Sequence, residues 1–300
     1  MDARITKHRL GNLLSYDWLK ILAAIAAAVL VLCVFFTTVR TRPRDGQVFY
    51  VYAYKDLSSG TDGIYLGDRI LSQHVFSYEI LSTSVESFQG NSYGDAALTA
   101  RRAAGEGTVM FVSDNDEYNE DGTIKTLSAF KNFAKSESDV FLDIEKYLAD
   151  CEAYLMRFYG AEWRTGELNK DEADACFLAR NQNDKRYLTE KKLHAGLGDE
   201  YARFAKLRED YLELLALLEN GTFTLSYSED EDGKEVAYGI GLGNLSGLSD
   251  LYYYTVKRGD ETVRTAETVN LMLFDNHNHG ADLKFETVSF LCYLAERYAK

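Results

Sequence analysis

An uncharged apolar run near the start of the chain constrains the fold more than any other feature. The nineteen residues of Ile21–Val39 carry no charged side chain. At about 1.5 Å per residue, a helix of this length spans roughly 28 Å, close to the thickness of a bilayer's hydrocarbon core. Tyr16 and Trp18 precede the run, as interfacial aromatic residues do, and Pro43 follows it. We therefore predict a transmembrane helix over residues 18–39 that contacts the lipid bilayer through Ile21–Val39.

A cleaved signal sequence is the alternative interpretation of this run. Signal peptides have a shorter apolar region, of about 7–15 residues, and end in small residues at the cleavage site. Here the run ends in Thr-Thr-Val-Arg-Thr-Arg, which is a poor cleavage site. Cys33 lies inside the run and follows Leu32, a large residue, which disfavours a lipoprotein. The sequence favours an uncleaved anchor.

The charges around the span bear on its orientation. Residues 45–300 carry 26 basic and 45 acidic residues, a formal net charge of −19. The basic residues before the span are Arg4, Lys7, Arg9 and Lys20, and those after it are Arg40, Arg42 and Arg44. The excess of basic residues on the cytoplasmic side sets orientation, so four against three favours an inside tail. We predict a cytoplasmic tail over 1–17, a linker over 40–46 and an extracytoplasmic domain over 47–300, at the cell membrane.

Composition excludes several classes of protein. The chain is 46% hydrophobic and 13% aromatic, which excludes a disordered stalk. Its single proline argues against a proline-rich linker, and the acidic domain disfavours binding to nucleic acid. No Cys-x-x-Cys pair occurs among the domain's three cysteines, Cys151, Cys176 and Cys292, so neither a zinc site nor a redox motif is indicated. Buried free thiols or one disulfide are both compatible with this spacing.

Strand-like and helix-like segments alternate after the linker. The predicted strands are Gln47–Tyr54, Ser77–Ser84 and Thr108–Ser113, and the predicted helices between them are Ile64–Phe76 and Ser92–Ala104. Gln47–Tyr54 is apolar on both faces, which is typical of a strand covered on both sides. Such alternation predicts a parallel sheet with right-handed crossover connections.

The second half of the domain is predicted to be helical first and then strand-rich. Helices are predicted over Ser138–Gly160, Asp171–Leu193, Asp199–Leu218 and Leu283–Tyr298, and strands over Thr222–Ser228, Lys234–Ile240, Leu251–Val256 and Thr268–Phe274. The helical subregion therefore covers about 123–220. Asp232-Gly233 between two strand-like runs is a hairpin signal.

Neither metal nor cofactor chemistry is indicated by a motif. The acidic loop Asp114–Gly122 lacks a glutamate at the twelfth position of a calcium loop, where Ser128 stands. The Asn276–His279 turn supplies two histidines without an assignable third ligand. Nucleophile elbows, P-loops and dinucleotide fingerprints are absent from the sequence. We predict no catalytic residue, no metal and no cofactor.

Four stretches resemble the extracellular solute-binding proteins of bacterial ABC importers, which have the type II periplasmic-binding fold. Leu98–Asp114 resembles their helix, glycine turn and strand. Asp232–Gly243 and Leu251–Tyr254 resemble a strand pair and the aromatic segment after it, and Thr268–Tyr298 resembles the C-terminal strand, turn and helix. The fold class that this implies is α/β: an N-terminal transmembrane helix followed by a periplasmic-binding-like domain with a large helical insertion.

The departures from this family are as informative as the likenesses. The usual Gly-Leu-Pro after the Tyr-Gly element is missing, since Pro43 is the only proline. Little sequence remains after Ile240 for a second sheet, which favours a domain with only one complete lobe over a domain with two. The resemblance implies a protein that captures a small ligand, or presents it to a membrane permease or another envelope protein. An extracytoplasmic scaffold that keeps the fold without a ligand is the alternative, and an envelope hydrolase is a third.

The expected ligand site lies where parallel strands end. In open α/β sheets, ligands bind in the crevice beyond the carboxyl ends of the strands. The first predicted strand ends at Tyr54, with Ser58 shortly after it, and the third ends at Ser113 and Asp114. Tyr54 is expected to stack on a ring of the ligand, while the other three side chains hydrogen-bond its hydroxyl groups.

Overall fold

The computed structural model describes residues 11, 18–39, 43, 46–55, 57–76, 80–89, 92–119, 121–258, 261–275 and 285–299. Most of the predicted tail and linker, and the Asn276–His279 turn, lie outside these residues. The chain divides into two compact units, Met1–Arg42 and Pro43–Lys300, which are described separately.

The first unit contains the apolar helix α1, Trp18–Val39. Its stretch Trp18–Phe36 has a mean hydropathy of 2.8, and none of it is buried. An apolar helix with no buried face gains nothing from folding in water, because hydrophobic stabilisation requires apolar area to leave water. The helix predicted over 18–39 is confirmed, and it is compatible with a membrane anchor or a signal sequence.

The second unit is a mixed α/β domain. Its strands are β1 (Val48–Lys55), β2 (Ser58–Ser59), β3 (Ser82–Gln89), β4 (Val109–Ser113), β5 (Glu117–Tyr118), β6 (Ile124–Thr126), β7 (Thr224–Glu229), β8 (Glu235–Gly241), β9 (Tyr252–Arg258), β10 (Glu261–Thr265) and β11 (Val269–Leu273). Its helices are α2 (Thr61–Ile64), α3 (Leu66–Ser72), α4 (Ser92–Ala103), α5 (Ala129–Ser136), α6 (Ile144–Tyr159), α7 (Lys170–Arg180), α8 (Glu190–Glu219) and α9 (Glu286–Tyr298). Two 3₁₀ turns occur at Lys185–Tyr187 and Leu248–Asp250.

Six strands form a central sheet in the order β3-β1-β4-β11-β8-β7. β1 pairs in parallel with β3 on one side and with β4 on the other. The remaining pairs in this sheet, from β4 to β7, are antiparallel. The strands β3, β1 and β4 are parallel, as the sequence predicts, but the sheet as a whole is mixed. β10, β9 and β2 form a second, three-stranded sheet, and β5 pairs with β6 in a hairpin.

The central sheet is covered on both faces, as the apolar sequence of β1 predicts. Phe49, Val51 and Ala53 belong to one core cluster, and Tyr52 to a second. The first cluster takes its helical side chains mainly from α6, α8 and α9, and the second from α4 and α5. Alternate residues of a strand point to opposite faces, so β1 alone supplies both cores.

The second strand of the domain begins later in the chain than the sequence predicts. The sequence predicts a strand over Ser77–Ser84, whereas β3 covers Ser82–Gln89, and residues 77–79 are outside the described part of the chain. All eight residues of β3 pair with β1, from Val48 with Ser82 to Lys55 with Gln89. Continuous pairing with a central strand satisfies the backbone groups, and this outweighs the short apolar alternation around Ile80.

Helix α6 begins later than the sequence predicts. Asp143 caps it, because its carboxylate accepts hydrogen bonds from the backbone nitrogens of Glu145 at 3.0 Å and Lys146 at 3.4 Å. Upstream of the cap, Phe141 forms an antiparallel bridge with Phe274. Before the cap, residues 138–140 form a turn and Phe141 makes a single β-bridge, so the helix does not begin at Ser138.

The boundary between the next two helices is also different from the prediction. Sequence periodicity predicts helices over Asp171–Leu193 and Asp199–Leu218, but α7 ends at Arg180 and α8 is continuous for 30 residues. Gly196 lies inside α8, and a Cβ there would approach ring atoms of Tyr187 and Phe177 at 2.5 and 2.7 Å. This glycine permits close packing and does not interrupt the helix.

Two glycines of α8 are expected to respond oppositely to alanine. Gly198→Ala should stabilise the domain by about 0.5–1 kcal/mol, because its Cβ meets nothing within 4 Å and alanine favours helices. Gly196→Ala should destabilise it by about 1–3 kcal/mol through overpacking. Urea unfolding of the two variants, followed by circular dichroism, measures both changes. Equal stabilisation by both substitutions would contradict the close packing at Gly196.

Candidate functional site

The three parallel strands β3, β1 and β4 have a topological switch point between β1 and β4. From β1 the chain moves to β3 on one side, and α4 then carries it past β1 to β4 on the other. Connections that leave neighbouring parallel strands in opposite directions open a crevice at their carboxyl ends. The ends of β1 and β4 therefore share one edge of the sheet, and we call this the carboxyl edge.

Tyr54 lies at this edge and is half-buried. Its hydroxyl donates a hydrogen bond to Oδ1 of Asp95 at 2.5 Å, and Asp95 lies in the first turn of α4. Its ring meets the ring of Phe133 edge-on, with centroids 4.7 Å apart. These two contacts fix the orientation of the tyrosine ring and leave part of it exposed.

Asp114 follows β4 directly and takes part in a polar network. Its backbone nitrogen donates to the carbonyl of Thr268 at 2.8 Å. Its Oδ1 accepts a hydrogen bond from Oγ of Ser128 at 2.7 Å and lies 3.4 Å from Nζ of Lys131. Asp116 completes the network, with Oδ2 at 2.6 Å from the same ammonium group. The carboxylate of Asp114 is 30% exposed and that of Asp116 only 4%, so Asp114 is the acceptor that meets solvent.

The ionisation of this network is fixed by its contacts. Burial acts to raise the pKa of Asp116, but hydrogen bonds from Lys131 and from the backbone of Ser128 hold it below its usual range. Burial acts to lower the pKa of Lys131, but Asp116 and Asp114 raise it. Lys131 therefore stays protonated and is no base for the hydroxyl of Ser128, which is itself 2% exposed. Asp116 and Lys131 therefore stay charged, and the hydroxyl of Ser128 is not activated as a nucleophile by Lys131.

The other two predicted site residues are placed differently. Ser58 is exposed and lies in β2, where it pairs with Tyr253 of β9. Ser113 is fully buried in β4, opposite Val269. Of the four predicted residues, Tyr54 and Asp114 reach the carboxyl edge with exposed polar or aromatic surface.

Sequence reasoning missed Asp95, Asp116, Ser128 and Lys131. One signal was available: Ser128 precedes a helical run, and its Oγ caps α5 by accepting from the backbone nitrogen of Lys131 at 3.2 Å. The contact of Asp95 with Tyr54 joins residues 41 positions apart, and no local pattern indicates it.

The charge of Asp116 is expected to make stability depend on pH. A carboxylate with a lowered folded pKa stabilises the fold above its unfolded pKa, of about 3.9, and this stability is lost as the pH falls through the folded value. Asp116→Asn should therefore lose about 1–3 kcal/mol near neutral pH and progressively less below about pH 4. Urea titrations across pH measure this, with the exposed Asp139→Asn as the control. A loss that is constant across pH would contradict the ionic origin.

Comparison with protein-family models, curated proteins and solved structures gave no match to this chain. The carboxyl edge presents a half-buried aromatic ring, a solvent-facing carboxylate and an ammonium group paired with two carboxylates.

Proposed function

We propose that this chain is a single-pass, membrane-anchored, extracytoplasmic binding protein without catalytic activity. Its ligand is a small polyhydroxylated molecule bound at the carboxyl edge. The observation that carries this proposal is the parallel pairing of β1 with both β3 and β4, because it brings Tyr54 and Asp114 to one switch point of the sheet.

The chemistry of the edge supports a ligand with hydroxyl groups. Asp114 and Asp95 are carboxylates that accept hydrogen bonds from hydroxyls, and Lys131 can donate one. The exposed part of the Tyr54 ring suits the apolar face of a sugar. Since Asp114 and Asp116 already neutralise Lys131, a neutral ligand fits better than an anion.

The relationship to solute-binding proteins is part of the same proposal. Leu98–Asp114 forms the end of α4, a glycine turn and β4. This order of helix, turn and strand is the one in which the segment resembles that family. Gly105 has a φ of 75°, which glycine adopts without strain. Helix α1 would hold the domain near a permease or another envelope protein that receives the ligand.

Ligand binding provides the direct test. The full-length protein in detergent should be stabilised thermally by at least one of a panel of neutral mono-, di- and trisaccharides. Asp114→Ala should weaken that binding at least tenfold, the loss of about 1.4 kcal/mol expected for one hydrogen bond to a charged group. Asp139→Ala, which removes an exposed aspartate that precedes α6, is the control. Saccharide binding that survives Asp114→Ala would place the ligand elsewhere.

A scaffold function is the second candidate, and one observation favours it. Two large side chains are exposed side by side in the β5–β6 hairpin that follows β4: Tyr118, which is 61% exposed, pairs with Ile124, which is 50% exposed. Exposed apolar groups that lie together mark protein interaction sites. If no saccharide binds, and Tyr118→Ser abolishes co-purification of an envelope protein that the wild type retains, the scaffold function is favoured.

A further inference from the structure

Two adjoining cavities lie at the opposite edge of the sheet, where β1 and β3 begin. The backbone nitrogen of Leu81, next to β3, donates to the carbonyl of Gln47, next to β1, at 2.9 Å, which marks this amino edge. Leu81 lines the first cavity, of about 500 Å³, and Val75 lines the second, of about 300 Å³. His74 lines both, so the two spaces meet at this residue. Each volume is within the range of small-molecule sites, about 300–1,000 Å³.

The first cavity has mainly apolar walls. Ile70, Phe76 and Ile80 supply buried aliphatic and aromatic surface, and Tyr187 adds a second ring. Arg186 and Asp199 also line it, and the guanidinium of Arg186 is already paired with Asp184 through Nη2 at 2.8 Å. An apolar or aromatic body is what this space accommodates.

The second cavity is lined by acidic groups. Asp210, Glu213 and Glu296 face one ammonium group, that of Lys206, which lies 2.5 Å from Oδ2 of Asp210. Glu213 and Glu296 form no hydrogen bond or ion pair with the residues that the structure describes. Burial, Asp210 and Glu296 raise the pKa of Glu213. A cation in this cavity would relieve the repulsion among these carboxylates.

Tyr293 forms part of the wall of the acidic cavity. Its side chain lines the cavity and is 7% exposed. Its hydroxyl has no hydrogen-bond partner among the described residues. Because this oxygen is itself fully buried, Tyr293 contributes wall surface to the cavity and leaves hydrogen bonding to the acidic groups.

His74 lines both cavities and ends α3 in a left-handed conformation. Its φ is 52°, in the left-handed region that glycine favours after a helix. Its nitrogen donates to the carbonyl of Leu71 at 3.2 Å, and the nitrogen of Val75 donates to that of Ile70 at 3.1 Å, which closes α3. An exposed imidazole is thus held between the apolar and the acidic space.

We propose that the amino edge is a second ligand site, distinct from the carboxyl edge, that binds a small amphipathic organic cation. The apolar body of this ligand occupies the cavity lined by Ile70, Phe76 and Tyr187. Its ammonium group lies between Glu213 and Glu296. The site therefore selects for positive charge joined to an apolar group, and neither part alone is sufficient for tight binding.

Phenylbutylamine is a suitable probe, with phenylbutyrate and ethylamine as its anionic and headgroup-only counterparts. Titration calorimetry on the full-length protein in detergent should give binding of phenylbutylamine at least tenfold tighter than of either counterpart. The double variant Glu213→Gln/Glu296→Gln should weaken binding of the amine at least tenfold. Both residues are exposed, so their replacement leaves the fold intact, which the melting temperature checks.

Two controls separate this site from general electrostatics and from the carboxyl edge. Glu190→Gln/Glu219→Gln removes the same charge from exposed positions of α8 outside the cavities and should leave affinity unchanged. Asp114→Ala, at the other edge, should also leave it unchanged. The proposal is overturned if phenylbutylamine fails to bind at millimolar concentration, if phenylbutyrate binds equally well, or if Glu213→Gln/Glu296→Gln retains the wild-type affinity.

Discussion

Glu200→Leu is expected to destabilise the domain by about 3–5 kcal/mol, a large part of the 5–15 kcal/mol typical of a folded domain. Glu200 is fully buried and accepts hydrogen bonds from Nε of Arg203 at 3.0 Å and from Nη2 of Arg203 and of Arg180, each at 2.9 Å. The side chain of Arg203 is 1% exposed. Because arginine cannot lose its charge, removal of the glutamate leaves a buried cation, with the carboxylate of Glu286 3.9 Å away.

An exposed pair in the same helical region provides the matched control. Arg157 and Glu172 form a salt bridge of 2.6 Å, with side chains 53% and 39% exposed. Glu172→Leu is expected to cost no more than about 1 kcal/mol, because water screens exposed pairs. Guanidinium unfolding curves followed by circular dichroism measure both variants. Equal losses at the two sites would show that burial does not determine the cost.

A double variant separates the loss of an ion pair from the loss of packing. Glu200→Leu/Arg203→Met removes both members of the buried pair and should be more stable than Glu200→Leu alone. If the double variant is no more stable than the single one, the contribution of Glu200 comes from its shape and from Arg180, and the buried-cation argument fails.

How far the sequence predicts this molecule depends on the range of the interactions involved. The apolar helix, β1 and β4 each follow from their own residues, because apolar runs of these lengths have few alternatives. Asp232-Gly233 likewise marks the β7–β8 hairpin, where Gly233 has a φ of 76°. These elements are local, and the structure confirms them.

What the sequence does not predict depends on distant contacts. β3 is positioned by pairing with β1, and α8 runs through Gly196 because rings from residues 177 and 187 pack there. The predicted strand ends place Tyr54 and Asp114 at the carboxyl edge. Asp95 and Lys131 contact them only through tertiary packing, which the sequence does not indicate. The amino-edge cavities are made by side chains from α3, α8 and α9 together, and no motif marks them.

The full-length chain should remain in the membrane fraction after an alkaline wash, with residues 1–39 retained. The observed helix is compatible with an anchor or a signal sequence, and these differ in the mature N-terminus. Mass spectrometry of the membrane-bound protein distinguishes them. A mature chain that begins after residue 39 would identify the helix as a cleaved signal.

Charged substitutions within the span test whether the helix itself holds the protein in the membrane. Leu30→Arg/Val31→Arg introduces two arginines near the middle of the helix, each of which costs about 2.5–3.5 kcal/mol on insertion. This variant should leave the membrane fraction, whereas Leu30→Ile/Val31→Ile should stay. Retention of the arginine variant would mean that surfaces outside the helix hold the protein at the membrane.

Protease accessibility then decides the orientation. With the tail inside, protease added to intact protoplasts should degrade the acidic domain, residues 47–300, and leave a short fragment that contains the helix. The basic residues that favour this orientation number four before the span and three after it, and positive charge is retained in the cytoplasm. Arg4→Glu/Lys7→Glu reverses that balance and should protect part of the domain population from protease. Complete protection of the wild-type domain would place it in the cytoplasm and would remove the basis for an extracytoplasmic ligand.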